Sequence, residues 1–311
     1  VNISVVVIGY NSEKFLTQNL DSLIGQTVPF EQIIVVDNNS SDDSLKIIEK
    51  YPQVQKIALA YNSGYSRGAN TGIKHSNSDL VLIANSDIIL EKNFNERVIE
   101  KFSADRNLGL LSPLILRFDR KTIDSAGQTY SRSLYPAERG FNKPAAEVSL
   151  SEGPVFSVCG AATVFSRGAL EKLKIEEEYY DEDFFIFWED FDIGWRAHLL
   201  GLKTLFYPRA VLYHYRSATL KKSFLSRFSL ALARSSFIKY HLVKNRYLTL
   251  IKNFRFKENS RAIPFIILKD IVWVTLLTIS SPKIIIKLMK SGKYIKNALK
   301  KRRILKAKSN R

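Results

Sequence analysis

Hydrophobic and polar positions along the first 90 residues alternate between two periods. Ile3–Ile8 is a run rich in β-branched residues and reads as a buried parallel strand. Phe15, Leu16, Leu20, Leu23 and Ile24 then recur at helical spacing, with Asn11 or Ser12 as the cap. Gln32–Asp37 predicts a second strand, and Ser41 or Asp42 opens a helix to about Tyr51. Val54–Ala60 predicts a third strand, Gly64–His75 a helix, and Leu80–Ala84 a fourth strand. Strands alternating with helices in this way predict a parallel sheet wrapped by helices. Ligands of such sheets bind beyond the carboxyl ends of the strands. Three of those ends are polar: Tyr10-Asn11, Asp37-Asn38-Asn39 and Asn85-Ser86-Asp87.

Beyond residue 106 the pattern changes. Gly127, Pro136, Gly140, Pro144, Gly153 and Pro154 punctuate short segments and predict hairpins and loops up to about residue 165. A helix is expected over Asp190–Leu200, ended by Gly201. A strand over Thr204–Tyr207 follows, and then a turn at Pro208-Arg209. From Ser223 onward the pattern is helical.

Charge divides the chain more sharply than periodicity does. The 311 residues carry a net charge of +17. Residues 1–220 contribute −5, and residues 221–311 contribute +22, with Glu258 and Asp270 as the only acids there. We therefore expect an α/β domain over 1–220 and a basic helical region over 221–311. Such asymmetry points to a polyanionic partner, either an anionic membrane surface or nucleic acid. A single cysteine, Cys159, excludes an intramolecular disulfide framework and a Cys-rich metal site. The first apolar run is too short for an export signal and lacks a basic flank, so a cytoplasmic chain is the expectation.

The polar strand ends carry the candidate chemistry, and each has two readings. Asp37 can accept hydrogen bonds from a base or ribose, or it can close an Asx turn. The pattern Asn62-x-Gly64-x-x-x-Gly68-x-Asn70-x-Gly72 can bring backbone close to a ligand or pack a helix tightly on the sheet. It is neither a dinucleotide fingerprint nor a Walker loop. Asp87 can hold a hard divalent cation against a diphosphate, or sit in a turn. Asp190, at a helix start, can act as a general base kept ionised by the helix N-terminus. Asp192 can pair with Arg196 at i,i+4, and Glu189 can be a cap or surface residue. His214 gains interest as a partner of Asp87 on one metal; otherwise it is a packed residue.

Taken together, these segments resemble the family 2 glycosyltransferases, which have the GT-A fold. The resemblance covers about residues 1–250. Ile3-Ser4-Val5-Val6-Val7-Ile8-Gly9-Tyr10-Asn11 looks like the family's opening strand, and Val36-Asp37-Asn38-Asn39-Ser40-Ser41-Asp42 like its nucleotide loop. Asn62–Gly72 is similar to a segment of rhamnosyltransferase-like members. Asn85-Ser86-Asp87 stands at the D-x-D or N-x-D position, with Asn85 in place of the first aspartate. Gly160-Ala161-Ala162 stands in the acceptor-side strand, and Phe187-Trp188-Glu189-Asp190-x-Asp192-x-x-x-Arg196 looks like the catalytic segment.

The resemblance implies a mixed, mostly parallel sheet flanked by helices and a metal-dependent inverting transfer. Tyr10, Asn11, Asp37, Asn62, Gly64, Asn70 and Asp87 would line the nucleotide and donor site. Asp87 and His214 would bind Mn2+ or Mg2+, Asp190 would be the base, and Trp188 and Glu189 would shape the acceptor side. The donor would be a dTDP- or UDP-sugar, with rhamnose a candidate, and the acceptor a lipid-linked or surface glycan. The competing reading is a non-catalytic nucleotide-sugar or polyanion-binding protein on the same fold.

Residues 263–289 are rich in Ile, Leu, Val and Trp, but their longest uncharged stretch, Ile271–Pro282, is far below the ~20 residues a spanning helix needs. Residues 283–311 hold 12 Lys+Arg and no acid. We expect helices lying on the inner face of an anionic membrane, with nucleic acid the less favoured partner and a dimer interface the other use of these helices.

Overall fold

The computed structural model describes residues 1–216 and 235–309. The chain forms two compact units. The first comprises Val1–Thr129, Glu138–Phe185 and Glu189–Ser217; the second comprises Tyr130–Ala137, Ile186–Trp188 and Ala218–Arg311.

The first unit alternates strands and helices in its first half: β1 (Ile3–Gly9), α1 (Glu13–Ile24), β2 (Gln32–Asp37), α2 (Ser44–Ile48), β3 (Val54–Ala58), α3 (Tyr65–His75) and β4 (Leu80–Asn85). It continues through β5 (Ile88–Leu90), α4 (Phe94–Ala104), β6 (Leu108–Arg117) and β7 (Ile123–Ser125). A short ribbon of β8 (Gln128–Tyr130) and β9 (Pro136–Glu138) follows. Then come β10 (Gly153–Pro154), β11 (Ala162–Ser166), α5 (Arg167–Leu173), α6 (Glu189–Leu199) and β12 (Lys203–His214). The sheet runs β10-β12-β6-β11-β4-β1-β2-β3, with β5 on β12 and β7 on β6. β4, β1, β2 and β3 are parallel to one another, whereas β11 is antiparallel to both β4 and β6.

Both faces of this sheet are apolar, which is why its central strands read as unbroken hydrophobic runs. Ile3, Val5 and Val7 of β1 pack with Leu16, Leu20 and Leu23 of α1 on one face. Val6 and Ile8 pack with Ala69 and Ile73 of α3 on the other. The glycines of α3 serve that second face. A Cβ on Gly72 would stand 2.1 Å from Val6 Cγ1, and one on Gly68 would stand 3.1 Å from Ile8 Cγ2. Tight helix–sheet packing, rather than ligand approach, thus accounts for these two glycines.

Three departures from the sequence pattern have local causes. Ser12 does not cap α1 with its side chain; its Oγ accepts from Tyr10 N and bonds Ser86 Oγ at 2.7 Å. The strand expected over Thr204–Tyr207 runs on to His214, because Pro208 is absorbed in an irregularity between Tyr207 and Val211. Leu108–Arg117, within the stretch expected to be hairpins and loops, is a ten-residue strand that is almost wholly buried. Pro113 interrupts its apolar run, and it sits opposite Tyr207, where the pairing with β12 shifts.

The described part of the second unit is largely helical: α7 (Ser236–Asn253), α8 (Phe256–Asn259), α9 (Ile263–Ser280), α10 (Pro282–Met289) and α11 (Gly292–Ser309). Tyr240 and Val243 of α7 form its apolar centre with Leu277 and Ile284. The helical start expected at Ser223 lies outside the described residues.

Candidate active site

The carboxyl ends of β1, β2 and β4 lie side by side, with Gly9 opposite Asp37 and Ile8 opposite Asn85. Asp37 is 1% exposed. Its Oδ2 accepts from Ser40 N at 2.9 Å, whereas its Oδ1 is buried without a hydrogen-bond partner. An ionised carboxylate oxygen left so is costly unless a ligand donates to it. One oxygen of Asp37 thus closes the turn, and the other has no donor within the protein. Asn11, at φ 50°, braces the adjoining loop. Its N–H donates to Ser40 Oγ, and its Oδ1 accepts from Ser41 N at 2.8 Å. Tyr10 is exposed beside it.

The Asn62–Gly72 segment divides between turn and bracket. Asn62 Oδ1 accepts from Gly64 N at 3.0 Å. Gly64, at φ 84°, has no room for a side chain, since a Cβ would lie 2.4 Å from the Phe185 carbonyl. Asn70 is buried, and both ends of its amide are engaged. Its Oδ1 accepts from Tyr179 N and Tyr180 N, and its Nδ2 donates to Tyr180 O and Glu182. It holds the 179–182 loop against α3, which leaves its amide little capacity for the donor pocket assigned to it by resemblance.

Asp87 and His214 meet, as the metal reading requires. His214 ends β12, and its Nε2 is 3.2 Å from Asp87 Oδ1. Its Nδ1 is 2.8 Å from Asp124 Oδ2, and Asp124 is in turn bonded to Arg216. Burial disfavours the imidazolium, but the hydrogen bonds to Asp124 and Asp87 outweigh it and raise His214 to about 9. Among the described residues no group of three or more His, Cys, Asp or Glu side chains could hold a metal ion. The donor set nonetheless fits a hard-to-borderline cation shared with a diphosphate. It offers one carboxylate and, once the cation displaces the His214 proton, one imidazole whose other nitrogen is oriented by a second carboxylate. Asp124 was missed by sequence reasoning. It lies in the three-residue β7, too short to show a period, and no motif marks it.

Asp190 stands in the first turn of α6 and is pinned by three N–H donors. Oδ2 accepts from Gly160 N at 2.9 Å and Gln128 Nε2 at 2.7 Å, and Oδ1 accepts from Phe191 N at 2.7 Å. Gly160 permits this approach, since a Cβ there would already touch the carboxylate at 3.2 Å. Burial raises Asp190 above the ordinary carboxyl value, and these donors oppose the rise. Gln128 Nε2 also donates to Glu138 Oε1 at 2.8 Å. Burial and the Asp190 charge raise Glu138 to about 7. Neither Gln128 nor Glu138 has a sequence signal, because each lies in a three-residue strand far from α6.

The neighbours of Asp190 have other surroundings. Glu189 is buried rather than at the surface, and its Oε2 lacks a partner. Burial first, then the Asp190 charge, raises its carboxyl to about 8. Asp192 pairs with Arg196 at 3.0 Å, both 1% exposed. Arg196 also donates to the Leu173 and Tyr179 carbonyls, so this pair is structural. Within the second unit, Trp188 is 4% exposed and edge-on to Tyr135 at 5.0 Å. It packs there instead of presenting an open ring face. Phe187 and Trp188 both have positive φ, and Asn245 Nδ2 donates to the Ile186 and Phe187 carbonyls beside them.

Comparison with known proteins accords with this architecture. A poly-beta-1,6-N-acetyl-D-glucosamine synthase of Staphylococcus epidermidis is 24% identical over 212 residues, covering 67% of this chain and 48% of the relative. Its Staphylococcus aureus counterpart (strain COL) is 24% identical over 205 residues, 65% of this chain and 47% of the relative. The chain thus spans about half the length of these curated relatives. GalNAc-T7, crystallised with UDP, GalNAc and Mn2+, superposes with a TM-score of 0.62 at 16% identity, covering 83% of this chain and 50% of that one. The mannosyltransferase PcManGT from Pyrobaculum calidifontis, in complex with GDP-Man and Mn2+, gives 0.55 at 16% identity, covering 99% and 86%. A fragment of S. aureus TarS in complex with UDP gives 0.53 at 18%, covering 86% and 71%. These likenesses show the GT-A fold; nothing in them singles out the rhamnosyltransferase-like subtype. The sequence model for "Glycosyl transferase family 2" matches residues 4–174, more than half of the chain, and so the chain belongs to glycosyl transferase family 2.

Proposed function

We propose that this protein transfers a sugar from a nucleotide-diphospho-sugar to a glycan or lipid-linked acceptor, with inversion at the anomeric carbon. The observation that carries this reading is the pinned carboxylate of Asp190 in the same unit as the half-satisfied carboxylate of Asp37. One can take a proton, and the other can take a hydrogen bond from a nucleoside. Asp37, with Tyr10 and Asn11 beside it, would receive the base and ribose. Asn62 and Gly64 would shape the turn next to the donor. Asp87 and His214 would hold a divalent cation, Mn2+ or Mg2+, with Asp124 orienting the imidazole. When bound, the cation would neutralise charge developing on the leaving diphosphate.

Asp190 would accept the acceptor hydroxyl proton through an oxygen that Gly160 and Gln128 hold in place. The acceptor oxygen then forms the new bond to the anomeric carbon. The bond from that carbon to the diphosphate breaks, and the nucleoside diphosphate leaves with the electron pair. The raised affinity of Asp190 for a proton suits a base, provided it is ionised when the acceptor arrives. Glu189 would line the acceptor side. UDP, dTDP and GDP sugars are all candidate donors, rhamnose among the sugars, and polysaccharide synthesis at the cytoplasmic face of the membrane is the proposed setting.

Purified protein, Mn2+ and each nucleotide sugar test this by the release of nucleoside diphosphate with and without acceptor extract. Asp190→Asn preserves size but cannot take the proton. We expect it to lose about 10²–10⁴-fold in transfer while nucleotide binding persists. Full transfer by Asp190→Asn would overturn the base assignment. Nucleotide binding by the wild type without turnover on any acceptor would favour the non-catalytic reading.

A further inference from the structure

α9 and α10 present an apolar surface that the other described residues of the second unit leave uncovered. Leu268 is 64% exposed, Ile271 60%, Ile279 78%, and Met289, at the end of α10, 81%. Ile267 and Val272 continue the same strip. The opposite side of α9 is committed to the protein. Asp270 accepts from Arg246 Nε at 3.1 Å, Lys269 lies 3.8 Å from the Tyr135 ring centre, and Leu277 is buried with Tyr240 and Val243. Every charged side chain of α9 is therefore on its inner side, and its outer side is free of charge.

We propose that this outer face lies in the head-group layer of an anionic bilayer, with the α9 axis in the membrane plane. A strip of this kind, apolar on one side and flanked by lysines, is the pattern of an interfacial helix. The lysines follow at once: Lys283, Lys287, Lys290, Lys293 and Lys296 are exposed, and no acid occurs after Asp270. Their charge selects the occupant. A second copy of the chain would bring the same positive charge against itself, whereas acidic lipids complement it. A nucleic acid would satisfy the lysines but would leave the apolar strip against water.

Length and composition would also permit α9 to span. Counting the turns before it, Phe256–Ser280 forms 25 helical residues, which corrects the expectation that charge keeps this segment too short. The packing argues for the plane instead. Lys239, Lys244 and Lys252 are buried residues of α7, which shares the Arg246–Asp270 pair and a side-chain cluster with α9. A spanning α9 would draw these cations into hydrocarbon, at high cost. The inference rests on the second unit alone and does not depend on the proposed transfer reaction.

Flotation of the full chain with vesicles tests it. Phosphatidylcholine vesicles containing phosphatidylglycerol should carry the protein, phosphatidylcholine alone should not, and high salt should release it. The double variant Leu268→Asp, Ile271→Asp changes two outward residues. It should keep the wild-type circular dichroism and melting temperature while its bound fraction falls on the order of tenfold. Undiminished binding by the double variant would overturn the proposal. So would resistance to alkaline carbonate, which marks a spanning helix, or a lipid-free dimer that the double variant abolishes. Oligonucleotide binding that matches vesicle binding and is equally insensitive to the double variant would assign the basic surface to nucleic acid.

Discussion

At the scale of single residues, the site is a set of carboxylates with different surroundings. Asp37 has one satisfied and one unsatisfied oxygen, Asp190 has three donors, and Glu189 has an oxygen with no donor. Glu189 is where a pH effect on stability should appear. Its folded carboxyl titrates near 8, above the ordinary 4.5, because burial and the Asp190 charge disfavour the anion. A raised folded value means that the stabilising contribution is full below about 4.5 and is lost as pH rises through about 8. Glu189→Gln has no proton to lose. We therefore expect its melting temperature to fall less than that of the wild type between pH 5 and pH 8, so that the variant gains relative stability at the alkaline end. Parallel melting curves at both pH values would show that Glu189 is not the group responsible. Asp190 and its motif were legible in the sequence because a helix start and a carboxylate run mark them. Asp124, Gln128 and Glu138 were not, because three-residue strands carry no periodicity and their partners lie 62 to 90 positions away or, for Gln128–Glu138, across a short ribbon.

At the scale of elements, legibility followed burial on two faces. β1, β2 and β4 were readable because both of their sides are apolar, whereas β6 was not, with Pro113 inside it and Pro208 facing the same irregularity from β12. α4 escaped notice although Phe94, Val98 and Phe102 recur every four residues, since no motif pointed to it. The glycine pattern of α3 was legible as a motif but not as to its cause. Only the distances separate the two readings, and they favour packing for Gly68 and Gly72. Gly72→Ala is the sharp test. Its methyl would start 2.1 Å from Val6 Cγ1 and 3.2 Å from Val36 Cγ2. α3 must then move off β1 and β2. Overpacking of this kind costs typically about 1–3 kcal/mol. We expect a lower urea midpoint with an unchanged slope. A neutral Gly72→Ala would mean that α3 shifts freely, and that the glycine is kept for the ligand after all.

At the scale of the whole molecule, the proposed donor site links ligand to stability, and the linkage can be read without an acceptor. The first unit buries its two apolar layers on a sheet whose carboxyl ends carry Asp37 and, just beyond β4, Asp87. Asp87 is already paired with His214, whose proton affinity that pairing helps to raise to about 9, so a divalent cation would have to displace the imidazole proton. The negative charge of a nucleoside diphosphate would favour that exchange, and nucleotide and cation should therefore bind as a pair. A ligand that binds only the folded state stabilises by about 2.7 kcal/mol at a concentration about 100 times its Kd. For a domain of this size, each kcal/mol corresponds to about 2–4 °C. We expect the fitting nucleoside diphosphate with Mn2+ to raise the melting temperature by roughly 5–10 °C under those conditions. Nucleotide with chelator, or Mn2+ alone, should give a much smaller rise. Asp87→Asn should lose the Mn2+-dependent part and keep whatever the nucleotide provides through Asp37. A rise that is equal with chelator would place all the binding energy at Asp37 and its loop, and would remove the cation from the proposal while leaving the nucleotide in it.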